Sequence, residues 1–414
     1  MILNEAIEVE SQIKALIDTG WYEDARSVAA LTHQHGVISK SAHDGFMRIL
    51  AGKPKSVHAG HQVYGHAIGF DSNVVLSSLQ FTRLTSRKDK LAAFKQAVNK
   101  IEIETSTQCN RNCTYCPNSK VGFEHRRASN AFMDMDMFEQ LLGDLEEIDY
   151  DKKISLVGMN EFFMHEENFE YLERIKRALP KCTIQIYSNG DYLTREYLER
   201  AARAGVDLIV VSFHLQSGKA YNAEDILDRA AKFTKRTKMP LAMADFQKGK
   251  KLHFHATLGR MNILAGLVNW DTDGHSWGGV VDAAGKNVAT AGTPCQSPVS
   301  ILCLSTDGDF TLCCAVPREK TPENEAHGAV LGNLRDYPSI FDAYASDAML
   351  YWRQHAFSTQ KIPELCQGCA WRNSESNKLN RKLSEFVEQQ HDYVGRPVRA
   401  GAKPAQPVKV AACG

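Results

Sequence analysis

Three cysteines within eight residues constrain this chain more than any other feature. Cys109, Cys113 and Cys116 follow a C-x3-C-x2-C spacing, directly after residues 101–105, which alternate between apolar and polar as a strand does. Four thiolates saturate a tetrahedral metal ion or a cubane cluster, so three thiolates leave one coordination position open. An open position can bind substrate. The alternative is a structural zinc loop that takes its fourth ligand from elsewhere in the chain.

Composition narrows the class of protein. The chain has 414 residues, of which 43% are apolar, so it is long enough for a large core and for more than one domain. Lys plus Arg and Asp plus Glu both number 49, which gives no overall field that attracts nucleic acid or membrane. Eleven cysteines, no secretory signal and no long apolar run predict a cytoplasmic protein whose clustered cysteines are metal or cluster ligands.

The pattern of the chain predicts four segments. Residues 1–95 carry apolar positions at helical spacing and are predicted to be mainly helical, covering one edge of the next segment or recruiting a partner. Strands alternate with helices over residues 96–270, and residues 271–373 contain a second group of cysteines. Residues 374–414 combine a polar helix with an Ala- and Pro-rich tail that we expect to be disordered.

Repeated strand–helix units over residues 96–270 predict an α/β fold with a parallel sheet and outer helices. In parallel barrels the chemistry lies at the carboxyl ends of the strands, where the cysteine loop falls. The pattern changes at residues 241–246 and 252–257, because the five residues between these runs are too few for a crossover helix. The fifth helix is therefore missing, or the second run is not parallel to the first.

The cysteine loop resembles the signature of the radical S-adenosylmethionine (SAM) superfamily, C-x3-C-x-aromatic-C, and Tyr115 supplies the aromatic residue. The resemblance implies a partial (β/α)6 barrel and a [4Fe-4S] cluster on Cys109, Cys113 and Cys116. In that family the remaining iron chelates the amino and carboxylate groups of SAM, and one electron yields a 5'-deoxyadenosyl radical that abstracts hydrogen from substrate. An electron donor such as flavodoxin or ferredoxin is the implied partner.

The segment after the second strand, which begins at Gly158, resembles the family's G-G-E-P or N-E-P turn, which holds the SAM amino group. Asn160 and Glu161 match that turn, whereas Phe162 stands where the family has proline. The resemblance assigns the backbone of this turn and the Glu161 carboxylate to SAM. An acidic residue at a strand end is otherwise most often a solvated loop charge.

Further positions are assigned to SAM on similar grounds. Ser188 and Asn189 resemble the family's T-N-G segment after the third strand, although Asn-Gly is also a common turn pair. Ser212 ends the fourth strand, where the family often has a serine. Arg260 is a candidate clamp for the SAM carboxylate, because its planar fork suits bidentate recognition.

Two groups of histidines are candidates for functional residues. His253 and His255 are two apart in a predicted strand, so both side chains point to one face, and on the barrel interior they would contact substrate and relay protons. The alternative is a solvated strand face. His58, His61 and His66 fall within nine residues but lack a cysteine or carboxylate at ligand spacing, so we expect ordinary loop and core residues.

The second group of cysteines resembles the twitch form of the SPASM extension, C-x(9–15)-G-x4-C followed by C-x2-C. The matching residues are Cys295, Gly308, Cys313, Cys366 and Cys369. Asp-Gly at 307–308 lies between two strand-like runs and predicts a hairpin, and a helix is predicted over residues 339–353. The resemblance implies one auxiliary [4Fe-4S] cluster on the four cysteines, and a structural zinc is the alternative.

Two cysteines in this region are left over. Cys303 and Cys314 are spare, and either is an alternative ligand, although the spacing favours Cys313 over Cys314. Strand alternation places Cys314 on the opposite face from its neighbour.

The resemblance implies two reaction types. The first is oxidation of a sugar or aminocyclitol alcohol, in which the radical takes a carbinol hydrogen, a base removes the hydroxyl proton and the auxiliary cluster accepts an electron. The second is maturation of a ribosomal peptide, for example by crosslinking. A zinc or iron–sulfur protein with a structural or sensing role is the non-enzymatic alternative.

Overall fold

The structure is a computed structural model, and it describes most of the chain between residues 78 and 357. The described ranges are 38–51, 78–120, 129–274, 276–281, 295–318, 328–357 and 364–366, together with scattered positions between 10 and 33 and at 123 and 126. His58, His61 and His66, Cys369 and the predicted tail over 374–414 lie outside these residues. No helix in the described part of the chain has the length and apolar character needed to cross a membrane.

The strands join into one ten-stranded sheet. Their order across it is β10-β9-β8-β1-β2-β3-β4-β7-β6-β5, and the six adjacent strands from β8 to β7 are parallel. The predicted α/β class and partial barrel are confirmed. In chain order the strands are β1 (Lys100–Ile103), β2 (Lys153–Leu156), β3 (Thr183–Ser188), β4 (Leu208–Ser212), β5 (Ala242–Gln247), β6 (Lys251–Leu258), β7 (Met261–Val268), β8 (Ile301–Leu304), β9 (Asp309–Thr311) and β10 (Val330–Asn333).

Three helices connect successive parallel strands, a fourth leads from β4 to the hairpin that precedes β7, and all four cover the outer face of the sheet. Most begin at a side-chain cap: Asp134, Thr194 and Asn222 each accept a hydrogen bond from a backbone N–H of the first turn. Their apolar faces pack on the sheet in one continuous core. These connecting helices are α3 (Met135–Glu147), α4 (Asn168–Ala178), α5 (Arg195–Arg203) and α6 (Ala223–Thr237); α1 (Lys40–Leu50) and α2 (Arg87–Ala97) precede them, and α7 (Trp270–Asp273), α8 (Ser297–Ser300), α9 (Ile340–Tyr344) and α10 (Asp347–Phe357) follow.

The strands β5 and β6 explain the break in the βα pattern. They form an antiparallel hairpin, and β6 also pairs antiparallel with β7, so the chain returns to the parallel sheet only at β7. This confirms that the second run is not parallel to the first. Because β6 and β7 meet in a tight turn, residues 259 and 260 lie at the amino end of β7, on the edge opposite to the cysteine loop.

The C-terminal hairpin extends the same sheet. β8 pairs parallel with β1 and antiparallel with β9, and the predicted turn lies between them. Gly308 has φ +86°, and an added Cβ would lie 2.3 Å from Met137 Sδ, so only glycine suits this turn. The prediction of a single helix over 339–353 is wrong. The structure has two helices in this region, because Ser346 accepts a hydrogen bond from the Met349 N–H and begins α10.

The described N-terminal residues are helical, as predicted. Ile13, Phe46 and Leu50 belong to a small apolar cluster that packs against Met243 of β5, which is the last strand at one edge of the sheet. Phe94 of α2 instead lies in the main core. The predicted segment boundary at residue 95 therefore falls inside a helix that packs with the barrel.

Candidate active site

A cavity of about 460 Å³ opens at the carboxyl ends of the parallel strands. This volume is within the range of small-molecule sites. The three loop cysteines line it together with seven of the eight residues predicted to contact SAM, so the structure brings these residues to one site. They are Cys109, Cys113, Cys116, Tyr115, Gly158, Asn160, Glu161, Ser188, Asn189 and Ser212.

An ion-pair network fixes the cysteine loop to the loop after β3. The Arg111 guanidinium donates to both carboxylate oxygens of Asp191 at 2.7 Å, and Arg229 donates to the same carboxylate at 2.9 Å. Asn110 also donates to Asp191, at 2.9 Å. Burial raises the pKa of Asp191, but the hydrogen bonds and charge of Arg111 and then Arg229 outweigh it and lower this pKa to about 2.

The donor set of the loop fits an iron–sulfur cluster. A cubane places each cysteine on a separate iron. The three thiols line one cavity, so they supply three of the four positions of a cubane and leave one iron for another ligand.

Glu161 ties together the loops after β2 and β3. Its side chain is fully buried and accepts hydrogen bonds from the Ser188 hydroxyl at 2.7 Å, the Asn189 N–H at 2.6 Å and the Phe163 N–H at 3.2 Å. Burial raises the pKa of Glu161 to about 7, although these hydrogen bonds act in the opposite direction. The carboxylate is thus a structural bridge beneath the proposed SAM site.

Gly158 and Asn160, which follow β2, lie against buried polar side chains. The Glu104 carboxylate accepts from the Met159 N–H at 2.5 Å and from Arg126 at 2.7 Å. A Cβ added to Gly158 would lie 2.1 Å from Glu104 Oε1, so this position requires glycine. Asn160 donates to the Ser106 hydroxyl at 3.0 Å.

Aromatic side chains form another part of the cavity lining. Trp270 stacks on Tyr115 with ring centroids 4.7 Å apart and planes 3° from parallel, and Trp277 donates to the Tyr115 carbonyl at 3.1 Å. The Tyr115 hydroxyl and His214 Nδ1 are 2.8 Å apart. Burial, then the charges of Arg111 and Arg229, lowers the pKa of His214 to about 3, so this imidazole is neutral.

The two strand histidines differ in position. Leu252 and Phe254 belong to the main core, and His253 and His255 lie on the other face of β6, as predicted. His253 lines the cavity, and burial, then the charge of Lys251, lowers its pKa to about 4. His255 does not line the cavity and contacts Asn262 Oδ1 at 3.2 Å, so its predicted substrate contact is not supported.

Arg260 does not belong to the site. It lies exposed in the turn between β6 and β7, at the edge of the sheet opposite to the cysteine loop, and does not line the cavity. The predicted contact with the SAM carboxylate is therefore wrong. The error arises from the inserted hairpin, which reverses the chain direction and carries this turn to the other edge.

Three of the four predicted auxiliary ligands are described. The Cys295 N–H donates to the Ala356 carbonyl at 2.9 Å, and Cys313 and Cys366 both pack against the edge of the main core. Cys314 lines the cavity, but its neighbour Cys313 does not. Both lie beyond the last residue of β9, Thr311, so strand alternation does not explain the difference. Cys303 is buried in β8 beside Glu102.

Several cavity residues were missed by sequence reasoning. His214, Trp270 and Trp277 follow strand ends, which was a usable signal. In the sequence, Lys100 and Glu102 are marked only as polar positions in the alternating pattern of β1. Arg318 carried no signal, because its partner Glu102 is 216 residues away.

The loop after the first strand of the parallel partial barrel carries three cysteines, as expected of a radical SAM domain. Residues 103–242 match the family model for the radical SAM superfamily. The chain therefore contains a radical SAM domain, and this family implies a [4Fe-4S] cluster and SAM.

Two characterised proteins are similar in sequence. The S-adenosyl-L-methionine-dependent 2-deoxy-scyllo-inosamine dehydrogenase of Niallia circulans is 24% identical over 295 residues, covering 71% of this chain and 97% of that protein. The tungsten-containing aldehyde ferredoxin oxidoreductase cofactor-modifying protein of Pyrococcus furiosus is 29% identical over 110 residues, covering 27% and 29%.

Solved structures give weaker likenesses. BtrN in complex with AdoMet and 2-DOIA has a TM-score of 0.46 at 21% identity, covering 66% of this chain and 93% of that one. Histidine-tagged anSMEcpe with bound AdoMet has a TM-score of 0.34 at 11% identity, covering 71% and 96%.

Proposed function

We propose that this enzyme dehydrogenates an alcohol carbon of a polar small molecule, a sugar or an aminocyclitol. The observation that carries the proposal is the similarity to a SAM-dependent 2-deoxy-scyllo-inosamine dehydrogenase along nearly the whole of that protein. A cavity that combines the cysteine loop with buried polar side chains supports it. The cytoplasmic location stays a prediction from the cysteine content.

The cofactors have defined places in the proposal. Cys109, Cys113 and Cys116 hold the [4Fe-4S] cluster, and the loops that carry Gly158, Asn160, Glu161, Ser188, Asn189 and Ser212 hold SAM, with Tyr115 beside them. When bound, this pair supplies a 5'-deoxyadenosyl radical that abstracts hydrogen from carbon. The Asp191 network holds the loop still, and Trp270 and Trp277 limit the access of water.

His253 is the proposed proton acceptor. It lines the cavity, and its lowered pKa keeps the imidazole neutral at pH 7, which a base requires. After the carbinol carbon has lost its hydrogen atom, the substrate must still lose one proton and one electron to become a ketone. A neutral imidazole accepts the hydroxyl proton. Because the pKa of His253 is low, this transfer is favourable only as the electron leaves for its acceptor, which makes the hydroxyl proton strongly acidic.

Cys295, Cys313, Cys366 and Cys369 are the proposed ligands of an auxiliary [4Fe-4S] cluster. When bound, that cluster supplies a one-electron acceptor. Cys313 is next in the chain to Cys314, which lines the cavity. A flavodoxin or ferredoxin is the proposed donor for reductive cleavage of SAM.

The test is deuterium transfer. Reconstituted enzyme, SAM and dithionite are incubated anaerobically with sugars and aminocyclitols deuterated at carbinol carbons, starting with 2-deoxy-scyllo-inosamine. The expected result is deuterium in 5'-deoxyadenosine together with a ketone product. Deuterium transfer with a peptide substrate and no ketone from any polyol would instead identify a peptide maturase. Zinc in place of iron would contradict the proposal altogether.

A further inference from the structure

A buried charge cluster forms one wall of the cavity, and we name Lys100, Glu102 and Arg318 the β1 wall. Lys100 Nζ lies 2.6 Å from Glu102 Oε1, and the Arg318 guanidinium donates to Glu102 Oε2. All three residues line the cavity. The side chains of Glu102 and Arg318 are each 5% exposed, and that of Lys100 is 14% exposed.

The fold places this wall inside the barrel. In β1 the side chains of Ile101 and Ile103 pack in the core beneath the helices, so Lys100 and Glu102 point to the interior. Arg318 is fixed by the carbonyls of Val157, at 2.6 Å, and Leu304, at 3.3 Å. The wall is thus assembled from strand ends on both sides of β1, and its geometry is rigid.

The wall carries more positive than negative charge. Glu104 is the next carboxylate that acts on Arg318, and it is itself paired with the buried Arg126. Counting these five residues gives three cations and two carboxylates, a surplus of one positive charge. Burying a charge without a partner costs several kcal/mol by the usual magnitude, so proteins pair buried charges. Among these five residues there is no carboxylate for the third cation.

The ammonium of Lys100 is the cation best placed for a ligand. It has three N–H donors, and its described contacts are Glu102 and the ring of Tyr187, 5.6 Å from Nζ. Arg318, by contrast, already donates to one carboxylate and two carbonyls. A ligand anion in the cavity would complete the charge balance through Lys100.

We infer that the β1 wall binds a carboxylate of the substrate, which narrows the sugar or aminocyclitol of the proposed function to a polyhydroxylated acid. The inference deepens the proposed function and depends on it for the oxidised alcohol. One surplus positive charge matches a monoanion, whereas a phosphate ester carries nearly two negative charges at pH 7. An ammonium group would be repelled by Lys100 and Arg318.

A rival account assigns the same charge to the proposed auxiliary cluster, because Cys314, which lines the cavity beside the wall, is adjacent to Cys313. A thiolate-bound cluster is anionic and would also balance one cation. If the wall binds a substrate carboxylate, Lys100 determines which ligand is preferred. If the wall balances the charge of the cluster, Lys100 instead affects the properties of the auxiliary cluster.

The experiment measures binding without turnover. Reconstituted protein with SAM and no reductant is titrated by anaerobic calorimetry with matched pairs, D-glucuronate against D-glucose and D-gluconate against D-glucitol, and with D-glucosamine and D-glucose 6-phosphate. At least one acid is expected to bind about tenfold more tightly than its neutral partner, the usual size of one charge-assisted hydrogen bond.

Two variants give effects of opposite sign. Lys100→Met removes the ammonium and is expected to bring the ratio of acid to neutral affinity close to one. Glu102→Gln removes the competing anion and is expected to raise that ratio, whereas a purely structural wall would lose affinity in both variants. Lys90→Met, which breaks a similarly half-buried lysine pair with Asp342 away from the cavity, is the matched control and keeps the wild-type ratio.

Three outcomes overturn the inference. The first is equal binding of the acids and their neutral partners, and the second is tighter binding of D-glucosamine or D-glucose 6-phosphate than of the acids. The third is an unchanged ratio of acid to neutral affinity in Lys100→Met, together with a changed electron paramagnetic resonance (EPR) spectrum of the auxiliary cluster. Failure of the dehydrogenase proposal would appear elsewhere, as the absence of a ketone product from reductive turnover with any polyol. The carboxylate preference is measured without that reaction, so the two failures are distinct.

Discussion

The mouth of the cavity, which we define by Arg111, Glu161, Asp191 and Arg229, and its β1 wall are both built from buried or half-buried charged groups, but they balance charge differently. At the mouth, Asp191 is shared by Arg111 and Arg229, and Glu161 is capped by N–H and O–H donors from the neighbouring loop. In the β1 wall, Lys100 and Arg318 share one carboxylate. The mouth is organised to hold loops, and the wall presents charge toward the cavity.

This difference separates cofactor binding from substrate selection. Residues that hold the loops are needed equally for every substrate, because they fix the cysteines and the turns proposed to hold SAM. Residues of the β1 wall are needed only for the class of substrate that they bind. Variants at the mouth are therefore expected to affect SAM cleavage itself, and variants of the wall to change which molecule is bound.

The largest expected effect is loss of the mouth thiols. The combined change of Cys109, Cys113 and Cys116 to alanine should remove about four iron atoms per chain and reduce 5'-deoxyadenosine formation to background, because a cluster needs its thiolates. Iron analysis and chromatography measure this. Cys182→Ala, at a buried thiol that contacts the Tyr150 carbonyl, is the control and should keep its iron. Unchanged iron in the triple variant would contradict the assignment.

The next effect is a pH dependence of stability from Glu161. Its pKa is raised from 4.5 to about 7, so the folded state holds a proton that the unfolded state releases, and the free energy of unfolding falls as pH rises from 4.5 to 7. The expected loss is roughly 3 kcal/mol, complete above pH 7.

Urea unfolding of the wild type and of Glu161→Gln at several pH values measures this contribution. His214 and His253 have lowered pKa values and act with the opposite sign below pH 6.5, so the difference between the two proteins is the relevant quantity. A difference that does not vary with pH would show that the pKa of Glu161 is the same in the folded and unfolded states, which contradicts a raised pKa.

The third effect concerns the proton acceptor. His253→Gln should lower kcat about 100-fold with a smaller change in KM, the usual contribution of a general base. His255→Gln, on the same face but outside the cavity lining, should keep kcat within a few-fold of the wild type. Equal effects of the two substitutions would remove the distinction between them.

The smallest effect is loosening of the loop. Asp191→Asn removes the shared carboxylate and should reduce iron retention or activity about tenfold, as substitutions outside the ligand shell usually do. Asp149→Asn breaks an exposed pair with Lys181 and is the control. An Asp191 variant that holds iron as firmly as the control would show that the network is dispensable.

The parts of the site that could be predicted are local in the chain. The cysteines lie in one loop, and Gly158, Glu161, Ser188 and Asn189 each follow a recognisable strand end. Asp307 and Gly308 carry the turn chemistry of a hairpin within two residues. Each of these signals rests on spacing over a few positions, and tertiary packing does not alter it.

The parts that failed depend on distant pairing or on chain direction. Trp277 reaches the Tyr115 carbonyl across 162 residues, and Arg318 reaches Glu102 across 216. Arg260 was misplaced because the antiparallel hairpin before β7 moves its turn to the other edge. The helix predicted over 339–353 is the exception, because it is divided by a local feature, the cap that Ser346 provides for a new helix.

The account's central claim is that the cysteine loop holds a cluster with one iron open to SAM. The most direct test is EPR of the reduced protein with Cys295, Cys313, Cys366 and Cys369 changed to alanine, so that only this cluster remains. The account predicts a [4Fe-4S] signal that shifts when SAM is added. A signal that SAM leaves unchanged, or no iron signal at all, would contradict it.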